Sequence, residues 1–243
     1  MEVRDRIAVV TGAAAGIGRA VAGVLADEGA RVVVGDVDVR AGEAAARELG
    51  GRFARVDVLV DDDLAALIDG AEGVSILVNN AGGAPSPHYP QAPVEHWSRT
   101  LDLNLRSAMV ATQLALERMR EGGGAIVNVS SMAGYGLFPH VAPEYAAAKA
   151  GLMRLTGSLS PLAERHGIRV NCVCPDWVDT PAVQGSLAVM SAEERAQMPE
   201  LVSADEIARL VLDLVRDDSL AGRVVIRPAD GPAMAMPVEG PCG

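Results

Sequence analysis

Positive charge is in short supply in this 243-residue chain: 21 Lys and Arg face 32 Asp and Glu, giving a formal charge of −11 and a pI near 4.8. Nucleic acid and anionic membrane surfaces require a basic footprint, so both drop out as main partners. Long apolar runs are missing as well. Hydrophobic residues make up 49% of the chain, yet charges and glycines break every run well before the roughly 18 residues that a spanning helix needs. The opening residues, Met1-Glu2-Val3-Arg4-Asp5-Arg6, carry no apolar stretch or cleavage pattern of a secretory signal, so a cytoplasmic protein is expected. Cysteine is scarce. Cys172 and Cys174 fall two apart in an apolar stretch, where a strand turns both to one face, so they read as packed core thiols rather than a bridge. The histidines, His88, His96, His140 and His166, are scattered singly, and no metal site is expected. Rarest of all is lysine: 20 of the 21 basic residues are arginine, and only Lys149 is not. Arginine cannot stand in for a compact ammonium on a slim stem that donates protons in several directions. Lys149 is therefore a functional candidate before any motif is read.

What the chain does have is alternation. Apolar β-branched runs at 7–11, 31–35, 52–56, 74–79, 125–129, 168–173 and 224–226 are separated by helical patterns at 17–28, 41–49, 62–69, around 104–120, 145–166 and 204–216. Repeated βα units with strands buried on both faces imply an α/β fold with a doubly wound parallel sheet. With no internal repeat or linker, residues 1–243 read as a single domain. The Gly/Pro-rich stretches 82–93 and 134–143 follow strands on the edge where such sheets bind ligands, and read as site loops. Segment 181–199 reads as a substrate lid and 237–243 as a flexible tail.

Directly after the first strand comes Thr11-Gly12-Ala13-Ala14-Ala15-Gly16-Ile17-Gly18, opening an alanine-rich helix. Strand, glycine loop and helix in this order suit a pyrophosphate: glycines permit a tight turn and close backbone approach, and the helix N-terminus supplies free N–H groups and a positive dipole end. Gly12, Ala15, Gly16, Ile17 and Gly18 are the candidate contacts. The second strand ends at Asp36, about 20 residues past the glycines, where a carboxylate accepts hydrogen bonds from an adenosine ribose. A 2′-phosphate would be repelled there and Ala15 offers no cation, so NAD is the expected cofactor; Arg40 reads either as a solvated surface residue or as a route to some NADP use. Asp57 and Val58, at the end of the third strand, read either as adenine contacts or as a plain strand-end turn.

Tyr145-Ala-Ala-Ala-Lys149 opens a strongly helical stretch, so the two side chains share one face, one turn apart. A phenol near pKa 10 is a weak general acid or base at pH 7 unless a neighbouring cation stabilises its phenolate, and Lys149 is expected to do that. Upstream, Asn128-Val129-Ser130-Ser131 ends the fifth strand and brings a hydroxyl to the same sheet edge, where Ser131 could hold a substrate oxygen.

Taken together, Thr-Gly-x-x-x-Gly-x-Gly at 11–18, Asn79-Asn80-Ala81-Gly82, Asn104, Ser131, Tyr145-x-x-x-Lys149, Pro175 and Thr180 make the chain resemble the short-chain dehydrogenase/reductase family, from residue 7 to 231. The resemblance implies a Rossmann-type fold and a catalytic tetrad of Asn104, Ser131, Tyr145 and Lys149. It implies that Tyr145 exchanges a proton with the carbonyl or hydroxyl oxygen and Ser131 hydrogen-bonds the same oxygen. By the same likeness Lys149 lowers the tyrosine pKa and grips the nicotinamide ribose, while Asn104 positions a water. Asn80, Ala81 and Gly82 would line the adenosine side, and Val178 and Thr180 would hold the carboxamide beside Pro175. Two departures stand out. The Ser131 to Tyr145 spacing is one residue longer than usual, leaving Ser130 or Ser131 to point into the site, with Ser131 preferred. Asp176 replaces the usual glycine after Pro175: either it tolerates a positive φ and points to water, or its carboxylate favours the oxidised cofactor ring.

The expected reaction is hydride transfer between NAD(H) and a secondary alcohol or ketone, with Pro85, His88, Met132, Tyr135, His140 and Trp177 as candidate pocket residues. That mostly apolar set suits a neutral or weakly polar substrate. The alternatives are a catalytically silent NAD-binding regulator and an epimerase or dehydratase of the extended relatives. A homotetramer is expected, mainly from the resemblance; helical stretches 105–119 and 146–159 are apolar over more than one core face.

Overall fold

Strands with apolar residues on both faces demand cover on both sides, and the chain supplies it by alternation. The computed structural model describes residues 1–236; the expected tail at 237–243 lies outside them. In chain order the elements are β1 (Ile7–Thr11), α1 (Gly16–Asp27), β2 (Arg31–Asp36), α2 (Val39–Glu48), β3 (Arg52–Arg55), α3 (Asp61–Asp69) and β4 (Val74–Asn79). Then follow α4 (Val94–Leu101), a π-helical stretch (Asp102–Arg106), α5 (Ser107–Met119), β5 (Gly124–Val129), a 3₁₀ turn (Met132–Gly134), α6 (Pro143–Ser158), α7 (Leu162–His166) and β6 (Ile168–Pro175). The chain continues through β7 (Val178–Asp179), α8 (Pro181–Val189), α9 (Ala192–Ala196), β8 (Val202–Ser203), α10 (Ala204–Arg216), β9 (Val224–Arg227) and β10 (Met234–Ala235).

The main sheet runs β10-β9-β6-β5-β4-β1-β2-β3. All its pairs are parallel except β9 with β10, so this is the doubly wound Rossmann-type α/β sheet. Side chains alternate across it. Val10, Val34, Val78 and Val127 face α1, α2 and α10 in one cluster, while Val9, Val33, Leu77 and Ile126 face α3 and α5 in another. Strand order reverses between β1 and β4, both of which end on the same edge, and the crevice at such a switch point is where these sheets bind ligands.

Three boundaries differ from the pattern in the sequence. The helix expected around 104–120 begins earlier, with α4 and the π stretch preceding α5; in α4 only Thr100 is buried, so its apolar period is faint. The helix expected over 145–166 starts at Pro143 and breaks before α7, where Pro161 has no N–H to continue the ladder. Segment 181–199 contains two short helices, flanked by the two-stranded β7–β8 sheet.

Candidate active site

At the phosphate end, β1 hands over to α1 through a loop with no side-chain cap: Ala15 is the N-cap and offers no oxygen. The first-turn amides of α1 are thus left for an anion. Gly18 is required by contact, since a Cβ there would lie 2.2 Å from the Gly12 carbonyl and 2.5 Å from Asn80 Nδ2. Asn80 fastens the loop to β4, its Nδ2 donating to the Thr11 and Gly12 carbonyls at 2.9 and 3.0 Å. Thr11 Oγ1 accepts from the Asn80 and Ala81 amides, both at 3.1 Å. Thr11 is a loop-fixing residue that the glycine pattern did not single out.

Asp36 stands at the tip of β2, its Oδ2 accepting from the Ala14 amide at 2.9 Å and its Oδ1 from the Asp38 amide at 3.0 Å. It therefore sits against the glycine loop, while Arg40 is exposed on α2. Asp57 and Val58 lie beyond β3 in the turn before α3: Asp57 Oδ1 accepts from the Leu59 amide at 3.0 Å, and Val58 is buried.

At the other end of the crevice, Tyr145 and Lys149 project from α6. Lys149 Nζ lies 5.6 Å from the Tyr145 ring centroid and donates to the Val129 carbonyl at 2.9 Å. Lys149 is only 3% exposed, and burial lowers its pKa to about 8. Burial likewise raises the Tyr145 phenol above its ordinary value, with the Ser131 hydroxyl pulling the other way. In this geometry burial is the largest influence on both groups, and the ammonium lies over the tyrosine ring. Lys149 is not among the groups that shift the phenol in this arrangement. His140 stacks on Tyr145 with centroids 6.2 Å apart.

Ser130 and Ser131 part company here. Ser130 Oγ turns inward and donates to the Lys149 carbonyl at 2.8 Å. Ser131 is the one whose hydroxyl acts on the phenol, and its Oγ also accepts from the Ala133 amide at 3.2 Å. Asn104 lies in the π stretch, a helix form often found at functional sites. Its Nδ2 donates to the Gly83 and Thr100 carbonyls at 2.7 and 2.9 Å, and its Oδ1 accepts from the Gly83 amide at 3.0 Å. Gly82 is pinched between partners, because a Cβ there would come within 2.6 Å of Asn104 Oδ1 and 3.2 Å of Lys149 Nζ. Asn104, Gly82 and Lys149 are thus brought together.

Pro175 ends β6, and Val178 is buried in β7. Thr180 caps α8, its Oγ1 accepting from the Val183 amide at 3.3 Å, and it meets the glycine loop: a Cβ on Gly16 would lie 3.1 Å from its methyl. Asp176 requires a correction. Among the described non-glycine residues only Asp5 has a positive φ, so the carboxylate is not there to tolerate a left-handed backbone. Its Oδ1 accepts from the Trp177 amide at 3.0 Å and its Oδ2 from the Ala229 amide at 3.2 Å, tying the end of β6 to the turn after β9.

Of the candidate pocket residues, His88 is drawn to Glu144, which the sequence reading passed over; His88 Nδ1 lies 2.9 Å from Glu144 Oε1. Tyr135 and Trp177 are exposed, as are the apolar side chains of Leu137, Phe138 and Val141. A groove of about 490 Å³ runs along α6, lined by Leu137, Phe138, His140 and Ala146 among others; Tyr145 and Ser131 are not in its wall. Cys172 and Cys174 are buried in β6, as core thiols. Among the described residues, no helix is long and apolar enough to cross a membrane and no cluster of His, Cys, Asp and Glu could hold a metal ion.

A family model described as "Enoyl-(Acyl carrier protein) reductase" matches residues 12–224. The chain is 40% identical to the cis-4-hydroxycyclohexanecarboxylate dehydrogenase of Sinomonas cyclohexanicum, over 88% of this chain and 90% of that one. It is 35% identical to the 3-beta-hydroxysteroid dehydrogenase of Comamonas testosteroni, over 89% and 91% respectively. A solved actinorhodin polyketide ketoreductase with NADPH superposes with a TM-score of 0.84 at 29% identity, covering 93% of this chain and 96% of its own. Sheet order, site and likeness converge: the chain belongs to the short-chain dehydrogenase/reductase family, oxidoreductases that act on alcohols and ketones with a nicotinamide dinucleotide.

Proposed function

We propose that this protein oxidises a secondary alcohol on an alicyclic ring with NAD, or reduces the matching ketone with NADH. The observation that carries the reading is the gathering of Tyr145, Ser131 and buried Lys149 at the sheet edge that also holds the glycine loop. The alicyclic class rests on the names of the two curated relatives and on the exposed apolar side chains of Leu137, Phe138 and Val141 in the loop that follows β5.

The residues present fit a dinucleotide. The uncapped start of α1 answers a pyrophosphate through the amides of the loop with Gly12, Ala15, Gly16, Ile17 and Gly18. Asp36 takes the adenosine ribose hydroxyls; each carboxylate oxygen has a lone pair beyond its present amide contact. Asp57, Val58 and the Asn80-Ala81-Gly82 segment line the adenosine side, and Pro175, Asp176, Val178 and Thr180 border the carboxamide end. When bound, the nicotinamide ring supplies the hydride acceptor or donor.

Tyr145 exchanges the proton with the substrate oxygen, and Ser131 donates a hydrogen bond to that oxygen. Lys149, with its pKa lowered to about 8, holds the ribose and relays protons. Asn104, across Gly82 from Lys149, orders a water on the route to solvent. The 181–199 segment acts as the lid, and pairing of α5 and α6 across subunits gives a homotetramer; exposed Met109 on α5 supports the latter. The NAD pool of the cytoplasm is the one this enzyme draws on.

The test is nicotinamide absorbance with cyclohexanol, cis-4-hydroxycyclohexanecarboxylate and a 3β-hydroxysteroid. NAD should exceed NADP at least tenfold in kcat/KM, about 1.4 kcal/mol, because a 2′-phosphate beside Asp36 sets two anions together. Equal or better values with NADP overturn the cofactor assignment, and no turnover with any alcohol or ketone returns the silent regulator.

A further inference from the structure

Glu144 is a carboxylate in an unexpected position. It precedes Tyr145 in the first turn of α6 and is only 5% exposed, although buried charge is costly unless it is well paired. Besides its own amide, its partners lie on another segment. His88 Nδ1 is 2.9 Å from Oε1, and the Tyr89 amide donates to Oε2 at 3.3 Å. Burial alone would push this carboxyl up, yet the His88 contact, its own amide and the Tyr89 amide hold it below the ordinary value.

The segment it reaches is the loop after β4, which is exposed at residues 84–87, 89 and 90 and lacks a core of its own. Three side chains moor it. Asn104 takes both the amide and the carbonyl of Gly83. His96 Nε2 lies 3.0 Å from the Pro85 carbonyl. Glu144 takes the far end, and the His88 carbonyl then accepts from the Gln91 and Ala92 amides at 3.1 and 2.9 Å. Among the described residues, and apart from the edge contact of Tyr89 on Trp97, Glu144 is the side chain that moors the 86–90 stretch, and it is the immediate chain neighbour of Tyr145.

We propose that Glu144 is a positioning residue that pins the 84–92 loop to the start of the tyrosine helix, making the loop a fixed wall on the alcohol side of the site. The second half rests on the function proposed above; the pinning does not. A carboxylate that bridges loop and helix sets the width of the pocket, while the phenol performs proton transfer.

Hydrogen exchange followed by mass spectrometry on the full chain reads the pinning directly. In Glu144→Ala, amides of 86–92 should exchange at least tenfold faster; in Glu144→Gln, which keeps an acceptor for the Tyr89 amide and a partner for the His88 ring, they should stay near wild type. His88→Ala, which leaves the Tyr89 contact, should fall between and serves if Glu144→Ala does not fold. With cyclohexanol, KM should rise at least fivefold in Glu144→Ala while kcat and the NADH Kd stay within twofold, and Glu144→Gln should restore KM. Unchanged exchange in both Glu144→Ala and His88→Ala, or in His88→Ala alone should Glu144→Ala not fold, overturns the pinning. A fall in kcat at constant KM overturns the wall, since Glu144 would then act on Tyr145. If wild type turns over no alcohol, the proposed function and the wall fail together, while the exchange rates still decide the pinning.

Discussion

Two cations are buried against this sheet among the described residues, Arg169 within β6 and Lys149 on α6 at the opposite edge, and they are treated differently. Arg169, near the start of β6, is 6% exposed and its guanidinium donates to the carbonyls of Leu214, Asp217 and Val215 at 2.9, 2.9 and 2.6 Å, with Asp218 at 3.1 Å. It closes the C-terminal end of α10, where helix carbonyls have no partner of their own and the dipole favours a cation. Lys149, at the opposite edge, is as deeply buried but donates only to the Val129 carbonyl among the described contacts. Burial lowers both pKa values, but arginine's fork meets four acceptors, whereas the lysine donates to one carbonyl and falls to about 8. One edge is built for stability, and the other gives some up to keep an ammonium available.

The sharpest way to break that comparison is Arg169→Met. Removing the guanidinium leaves three helix-end carbonyls and a carboxylate without their partner, so stability should fall by about 3 kcal/mol, or roughly 6–12 °C in Tm for a chain of this size. A loss below about 1 kcal/mol would mean that water satisfies α10 equally well. Lys149→Met should do the reverse. Lowering the pKa from 10.5 to about 8 means that the folded state disfavours the charged lysine, so below pH 8 the variant should be more stable by about 2 kcal/mol after loss of the Val129 hydrogen bond, while kcat falls at least about 10²-fold.

The sign of the pH dependence follows from linkage. Between pH 8 and 10.5 the unfolded chain keeps the lysine proton that the folded chain has released, so wild type gains stability with rising pH and the gap to Lys149→Met narrows. Cys172, pushed up to about 12 by burial, and Cys174 and Tyr145, also raised, work in the opposite direction in both proteins; the Lys149 charge lowers both thiols, so apart from that contribution they cancel in the difference. Urea titrations at pH 7, 8.5 and 9.5 measure it; a gap that does not narrow refutes the burial account. The smallest effect is expected at Asp176→Asn. With both carboxylate oxygens taken by amides at a loop junction, stability should drop by about 1 kcal/mol and the ratio of NADH to NAD⁺ dissociation constants should change less than twofold. A larger change restores the electrostatic reading of that carboxylate.

Much of this was legible before any coordinate. The β-branched runs are buried strands because neither face tolerates water, and they recur at nearly the expected limits, as in β1 and β4. The glycine loop was readable because Gly18 leaves no room for a side chain. Less readable was α4, whose outward residues blur its period, and the turn at Pro161, which the apolar pattern runs straight across. Glu144 gave no signal at all: a glutamate in a first helical turn looks like a solvated dipole partner, and only the return of the 84–92 loop turns it inward.

By itself the sequence determined the α/β alternation, the pyrophosphate loop and the Tyr145–Lys149 pair, because each depends on residues near one another in the chain, where spacing and steric size decide the outcome. Tertiary structure alone decided which of Ser130 and Ser131 meets the phenol, where Asp176 sends its carboxylate, and that burial outweighs charge in setting the Tyr145 and Lys149 pKa values. Those outcomes depend on how much water and how many polar atoms surround a group, and that is fixed only when β5, β6 and α6 close around it.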